Sequence, residues 1–122
     1  QELGTPVIPK SAPPVPDVNF TAHIIVPGMR GRDVSLALKP GGRRLSVGRG
    51  KDNDLLINDG SVSKVHAALV LNREGTLMVA DTGSTNGTFI NGRRIAYGEA
   101  RQIEEGDVVG FGDVEIRFRK VD

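Results

Sequence analysis

The sequence predicts an all-β protein, a two-sheet β-sandwich of short strands. Three observations carry that expectation. Glycine makes up 16 of 122 residues, a proportion that supplies tight turns and works against long helices. Val114, Ile116 and Phe118 interleave with Glu115, Arg117 and Arg119, the period-two alternation of a strand with one wet face. No segment sustains apolar residues at i, i+3, i+4 and i+7 between helix caps.

Taken in order, residues 1–18 read as a proline-rich linker. Five of the seven prolines (Pro6, Pro9, Pro13, Pro14 and Pro16) fall there, and each removes a backbone donor and fixes φ. The folded domain is expected over residues 19–122, with strand patterning from Phe20 onward. Val34, Leu36 and Leu38 alternate with polar or small residues, and Leu45 and Val47 follow the Lys39-Pro40-Gly41-Gly42 turn. Residues 55–57 and 67–71 are short apolar runs, which predicts strands buried on both faces. Leu77 and Val79 follow the Asn72-Arg73-Glu74-Gly75 turn. Asn91-Gly92 lies between Phe89-Ile90 and Arg93-Arg94-Ile95 and predicts a hairpin, because a type I′ turn needs positive φ at both central residues. Glu105-Gly106-Asp107 is a further turn. About ten strands in roughly 100 residues make a sandwich.

Composition removes several function classes. With 16 Lys and Arg against 15 Asp and Glu the net charge is +1, which gives no global field for nucleic acid or a membrane surface. There is no cysteine, so disulfides, thiolate metal sites and cysteine nucleophiles are excluded, and two histidines leave little for a metal cluster. No metal and no cofactor is expected. The longest strongly apolar run, residues 67–71, is far below the roughly 18 residues of a membrane span. The N-terminus lacks the basic and apolar blocks of a signal peptide. The expected compartment is the cytoplasm, with a membrane anchor upstream still compatible.

Catalytic and nucleotide motifs fail on inspection. Gly50-Lys51 is followed by Asp52, and Leu45 stands where a P-loop needs glycine. Gly110-Phe111-Gly112 begins like a dinucleotide loop, but Glu115 replaces its third glycine and no helix is expected after it. Asp52 and Asp54 resemble the start of a calcium loop that Leu56 interrupts. Ser63, His66 and an aspartate would compose a hydrolytic triad, but without a nucleophile elbow. No catalytic residue is assigned.

The informative stretches are two polar loops, residues 46–67 and 81–92, of the kind that carry binding residues on a rigid scaffold. Charge points to an anionic ligand. Residues 27–51 hold seven basic side chains against the single acid Asp33, a local charge of +6 in a near-neutral chain. Arg49 follows a glycine at a strand end, where a planar guanidinium can give two parallel hydrogen bonds to a phosphate.

Gly48-Arg49, then Ser63-x-x-His66, then Ser84-Thr85-Asn86-Gly87-Thr88 with Asn91-Gly92, resembles the forkhead-associated (FHA) domain. The resemblance spans roughly residues 20–121. It implies an eleven-stranded sandwich whose loops at one end bind phosphothreonine in a partner protein. On that resemblance Arg49 contacts the phosphate and supports its loop, and the Ser63 hydroxyl donates to a phosphate oxygen. His66 is implied to hold the loop in shape. Thr85 helps form the threonine pocket, and the amide of Asn86 grips the ligand backbone. Gly48 and Gly87 are backbone requirements. One departure concerns Lys64, where many members carry arginine. Lysine keeps the charge but loses the two-pronged fork, so Lys64 is expected to reach the phosphate as a point charge.

The expected function is therefore a phosphothreonine-dependent protein–protein interaction module, part of a larger signalling protein and not an enzyme. Its partner is a phosphothreonine-containing protein or peptide, with no nucleic acid and no direct membrane contact, and the isolated domain is expected to be monomeric. Two other classes compete: an FHA-like scaffold that binds partners without phosphate, and a small hydrolase. A further expectation concerns Thr5-Pro6-Val7-Ile8, which sets an aliphatic residue three places after a threonine. If a kinase modified Thr5, the tail would dock on a neighbouring molecule; otherwise it is an unmodified linker.

Overall fold

Valine, isoleucine, leucine and phenylalanine at alternate positions divide this chain into strands, and the turn residues between them fix where each strand stops. The computed structural model describes residues 16–121, so Thr5 and most of the proline-rich stretch lie outside the described residues. The strands are β1 (Val18–Ile25), β2 (Arg32–Leu38), β3 (Leu45–Gly48), β4 (Leu55–Leu56), β5 (Ala67–Leu71), β6 (Leu77–Asp81), β7 (Thr88–Ile90), β8 (Arg93–Arg94), β9 (Arg101–Gln102), β10 (Val109–Phe111) and β11 (Val114–Lys120). Val18, the last residue assigned to the linker, is the first residue of β1.

Two sheets form the sandwich. One has the order β2-β1-β11-β10-β7-β8, the other β4-β3-β5-β6-β9. Neighbours are antiparallel except β3 and β4, which run parallel with Val47 opposite Leu55. β11 shows how pattern becomes position: Val114, Ile116 and Phe118 are buried while Glu115, Arg117 and Arg119 are exposed. The inner faces meet in one core that includes Ile24, Val47, Leu69, Val79, Phe111 and Ile116. Burying each such side chain stabilises the fold by about 1.5–3 kcal/mol.

β5 is buried on both faces apart from Val70, as its apolar run predicts. β4 is not. Leu55 is 1% exposed, Leu56 is 43% exposed and Ile57 is fully buried. β4 is an edge strand, paired on one side only, so its outward residue has no layer to cover it. The Asn91-Gly92 hairpin forms between β7 and β8, with φ of 52° at Asn91 and 81° at Gly92.

The sandwich has two distinct poles. β1 begins and β11 ends at one pole, where Phe20 pairs with Lys120 and the amide of Val121 donates to Asn19 O at 2.8 Å. The β2–β3 and β5–β6 turns join there, with Gly41 N donating to Leu71 O. The opposite pole gathers the end of β3, the approach to β5, the β6–β7 loop and the β10–β11 turn.

Candidate functional site

Three loops meet at that second pole and are stitched by backbone bonds before any side chain is considered. Arg49 N donates to Ser63 O at 2.9 Å, Gly50 N to Lys64 O at 3.0 Å, and His66 N to Val47 O at 2.7 Å. This zipper forces close approach at Gly48, where a β-carbon would sit 2.2 Å from the Lys64 carbonyl oxygen. Only glycine fits there, for reasons of space and not of backbone angle. Asn53 tightens the same contact, its Nδ2 donating to Gly50 O and to Lys64 O.

His66 links the second loop to the third. It is fully buried, its Nδ1 accepts from the Ser63 backbone N–H at 3.0 Å, and its Nε2 lies 2.8 Å from Gly87 O. An accepting Nδ1 leaves the proton on Nε2, so the ring is a neutral donor to Gly87. Burial lowers its pKa, against the opposing pull of the Gly87 bond and the Asp81 charge. Both ring nitrogens are thus engaged by backbone. Neither can serve as a base for the Ser63 hydroxyl, which removes the geometry a hydrolytic triad requires.

Asp81 organises the third loop from below. It is 5% exposed and accepts from Gly83 N, Ser84 N, the Ser84 hydroxyl and Thr88 Oγ1. Burial alone would raise its pKa, but these donors outweigh it and hold the carboxyl below its ordinary value. Ser84 Oγ in turn accepts from Gly87 N at 3.0 Å. Ser61 braces the far side. Its hydroxyl donates to Asp59 and accepts from Asp113 N, and its carbonyl accepts from Asn86 Nδ2 at 2.8 Å.

The outcome is a rim of partly committed groups. Arg49 is anchored through Nε to Val62 O at 3.0 Å, and its terminal nitrogens have no partner among the described residues. Ser63 Oγ accepts from Thr85 N at 3.0 Å, which orients the hydroxyl and leaves its proton to donate outward. Asn86 has committed one N–H to Ser61 and keeps its Oδ1 free among the described residues. Arg49, Ser63, Thr85 and Asn86 therefore stand together at one pole, with Gly48, His66 and Gly87 beneath them. Lys64 is exposed beside them. It lines a shallow cleft of about 240 Å³ with Lys51, Asp52 and Asn53, and its ammonium has no partner among the described residues.

The residue pattern does not mark Asp81, Asn53 or Ser61, and it includes Ser84 in a motif without giving it a role. A signal for Asp81 and Ser84 is present: Asp-Thr-Gly-Ser at a strand end is a turn in which the carboxylate takes two amides just downstream.

Comparison with known proteins decides the family. The family model for the FHA domain matches residues 45–112. The chain belongs to the FHA domain family. Among curated relatives it is 41% identical over 81 residues to the ABC transporter ATP-binding/permease protein Rv1747 of Mycobacterium tuberculosis, covering 66% of this chain and 9% of that protein. This FHA domain thus spans about a tenth of the transporter's length. The FHA domain of the CT664 protein of Chlamydia trachomatis superposes with a TM-score of 0.70 at 21% identity, over 85% of this chain and 99% of that one. A domain solved in a structural and functional analysis of phosphothreonine-dependent FHA domain interactions gives 0.66 at 27% identity, over 85% and 98%. The two-sheet sandwich of this chain is thus the FHA fold.

Proposed function

We propose that this FHA domain captures an extended peptide bearing phosphothreonine at the rim formed by Arg49, Ser63, Thr85 and Asn86, and that it binds without catalysing a reaction. The observation that carries the reading is the Ser63–Thr85 bond beside the anchored Arg49. It leaves one hydroxyl proton and two guanidinium nitrogens aimed outward on fixed backbone, so little ordering is required when an anion arrives. The similar domain solved for its phosphothreonine-dependent interactions supports the same ligand class here.

The phosphate, carrying a charge of about −2 at neutral pH, exchanges water for these donors. Arg49 supplies paired N–H groups, Ser63 an O–H, and Lys64 a point charge from the adjoining cleft. Charge-assisted bonds of roughly 1.5–3 kcal/mol each, less association costs, fit an affinity near micromolar, about −8 kcal/mol. Asn86 Oδ1 takes a backbone N–H of the ligand. Thr85 borders the space for the threonine methyl, whose burial favours phosphothreonine over phosphoserine by about 0.8 kcal/mol.

Calorimetric titration with a phosphothreonine peptide library and its unphosphorylated twin tests this. Binding confined to the phosphorylated set is the expected result. Equal retention of both sets would replace this reading with a phosphate-independent scaffold.

A further inference from the structure

The two sheets leave their edge strands β8 and β9 side by side on one flank of the sandwich, each hydrogen-bonded on one side only. Between them lies an open cleft of about 720 Å³ lined by Ile90, Arg93, Arg94, Arg101 and Gln102. Its charge is one-sided. Arg101 is paired with Glu99 at 3.2 Å, while Arg93 and Arg94 are exposed and have no carboxylate partner among the described residues.

The cleft is joined to the rim. Arg94 pairs with Phe89 and Arg93 with Ile90, so Arg94 is the one nearer the loop pole, and Ile95 N donates to Thr88 O at 2.9 Å. A β-carbon built on Gly87 would lie 2.8 Å from Arg94 Nε and 3.1 Å from its Cζ. The guanidinium of Arg94 therefore lies against the backbone that follows Asn86. A side chain at position 87 would push it away. At φ of 98° Gly87 is also a position that favours glycine.

We propose that Arg94 and Arg93 form a second anion-reading element, which selects phosphothreonine peptides whose flank leaving Asn86 along β8 carries aspartate or glutamate. This rests on the function proposed above and names the chemistry of its ligand beyond the phosphate. A peptide held at Asn86 that runs on over Gly87 toward β8 would meet Arg94 first, then Arg93. Arg101 contributes less because Glu99 already neutralises it. The residues are exposed, so the pairing adds discrimination and a steeper salt dependence more than raw affinity.

The test uses three phosphothreonine peptides of equal length, with acidic residues after the phosphothreonine, before it, or nowhere. Each is titrated against wild type, Arg94→Gln and the Arg93→Gln/Arg94→Gln pair. One acidic peptide should bind wild type about fivefold tighter than the neutral one, and the double variant should lose that preference while holding the neutral peptide unchanged. A preference surviving in the double variant, or none in wild type, overturns this inference alone. Failure of wild type to bind any phosphorylated peptide overturns the parent function with it. Far-ultraviolet circular dichroism and the melting temperature of the variants verify that exposed substitutions leave the fold intact.

Discussion

His66 donates from Nε2 to the carbonyl oxygen of Gly87 across 21 residues of chain, and that bond holds the second loop of the rim against the third. The ring also packs edge-on against Phe111, with centroids 5.7 Å apart and planes at 88°. Removing it opens a void and orphans the Ser63 N–H, while the Gly87 carbonyl keeps only its bond from Gly112 N. His66→Ala should destabilise the domain by about 2–4 kcal/mol in chemical denaturation. A stability equal to wild type would show that the ring holds nothing together.

The same residue sets a pH dependence. Its folded pKa lies below the ordinary 6.5, so the unfolded chain takes up the proton first as pH falls. The contribution is intact above pH 6.5 and is lost as pH drops from there toward the folded value. A second decline belongs to Asp81, Asp54, Asp59 and Asp107, all held below the ordinary 3.8, and it begins only near that pH. Melting temperature against pH should therefore fall in two stages, and His66→Gln should remove the upper one.

At the rim, Arg49→Ala and Ser63→Ala should each weaken phosphothreonine peptide binding by about 100-fold, the loss of charge-assisted bonds worth roughly 3 kcal/mol. Arg49→Ala also frees Val62 O, so the titration is to be paired with a melting curve. Near-native affinity in folded Arg49→Ala protein would move the phosphate elsewhere.

Lys64→Ala should cost less, about threefold, because an exposed ammonium acts as one screened charge. The effect should shrink as salt is raised. Lys64→Arg should bind at least as tightly as wild type, since it restores the fork.

Gly48→Ala tests the zipper between the first two loops. The added methyl meets the Lys64 carbonyl at 2.2 Å, and neither backbone can yield without breaking the Gly50–Lys64 or Arg49–Ser63 bonds. A destabilisation of about 1–3 kcal/mol with loss of peptide binding is the expected result.

Much of this molecule is legible in its residues, for reasons that differ by region. β11 is readable because one face is wet and the other dry. The Asn91-Gly92 turn is readable because few residues accept positive φ twice running. β4 misleads because three apolar residues in a row do not say that the strand is an edge; that depends on sheet order, which no local pattern holds. At the rim, Arg49, Ser63 and Asn86 are marked by their motif. Asp81 is not, although its four donors hold the loop that carries Asn86, because a buried acid and a solvated one look alike in sequence.

The first strand starts where the last one finishes, Phe20 opposite Lys120, at the end of the sandwich remote from Arg49 and Ser63. Anything tethered there hangs behind the domain, away from the rim proposed to take the peptide. With the peptide held at that proposed rim, partners brought together through this module would be separated by the height of the sandwich, and tether length, more than the grip itself, would set how often they collide.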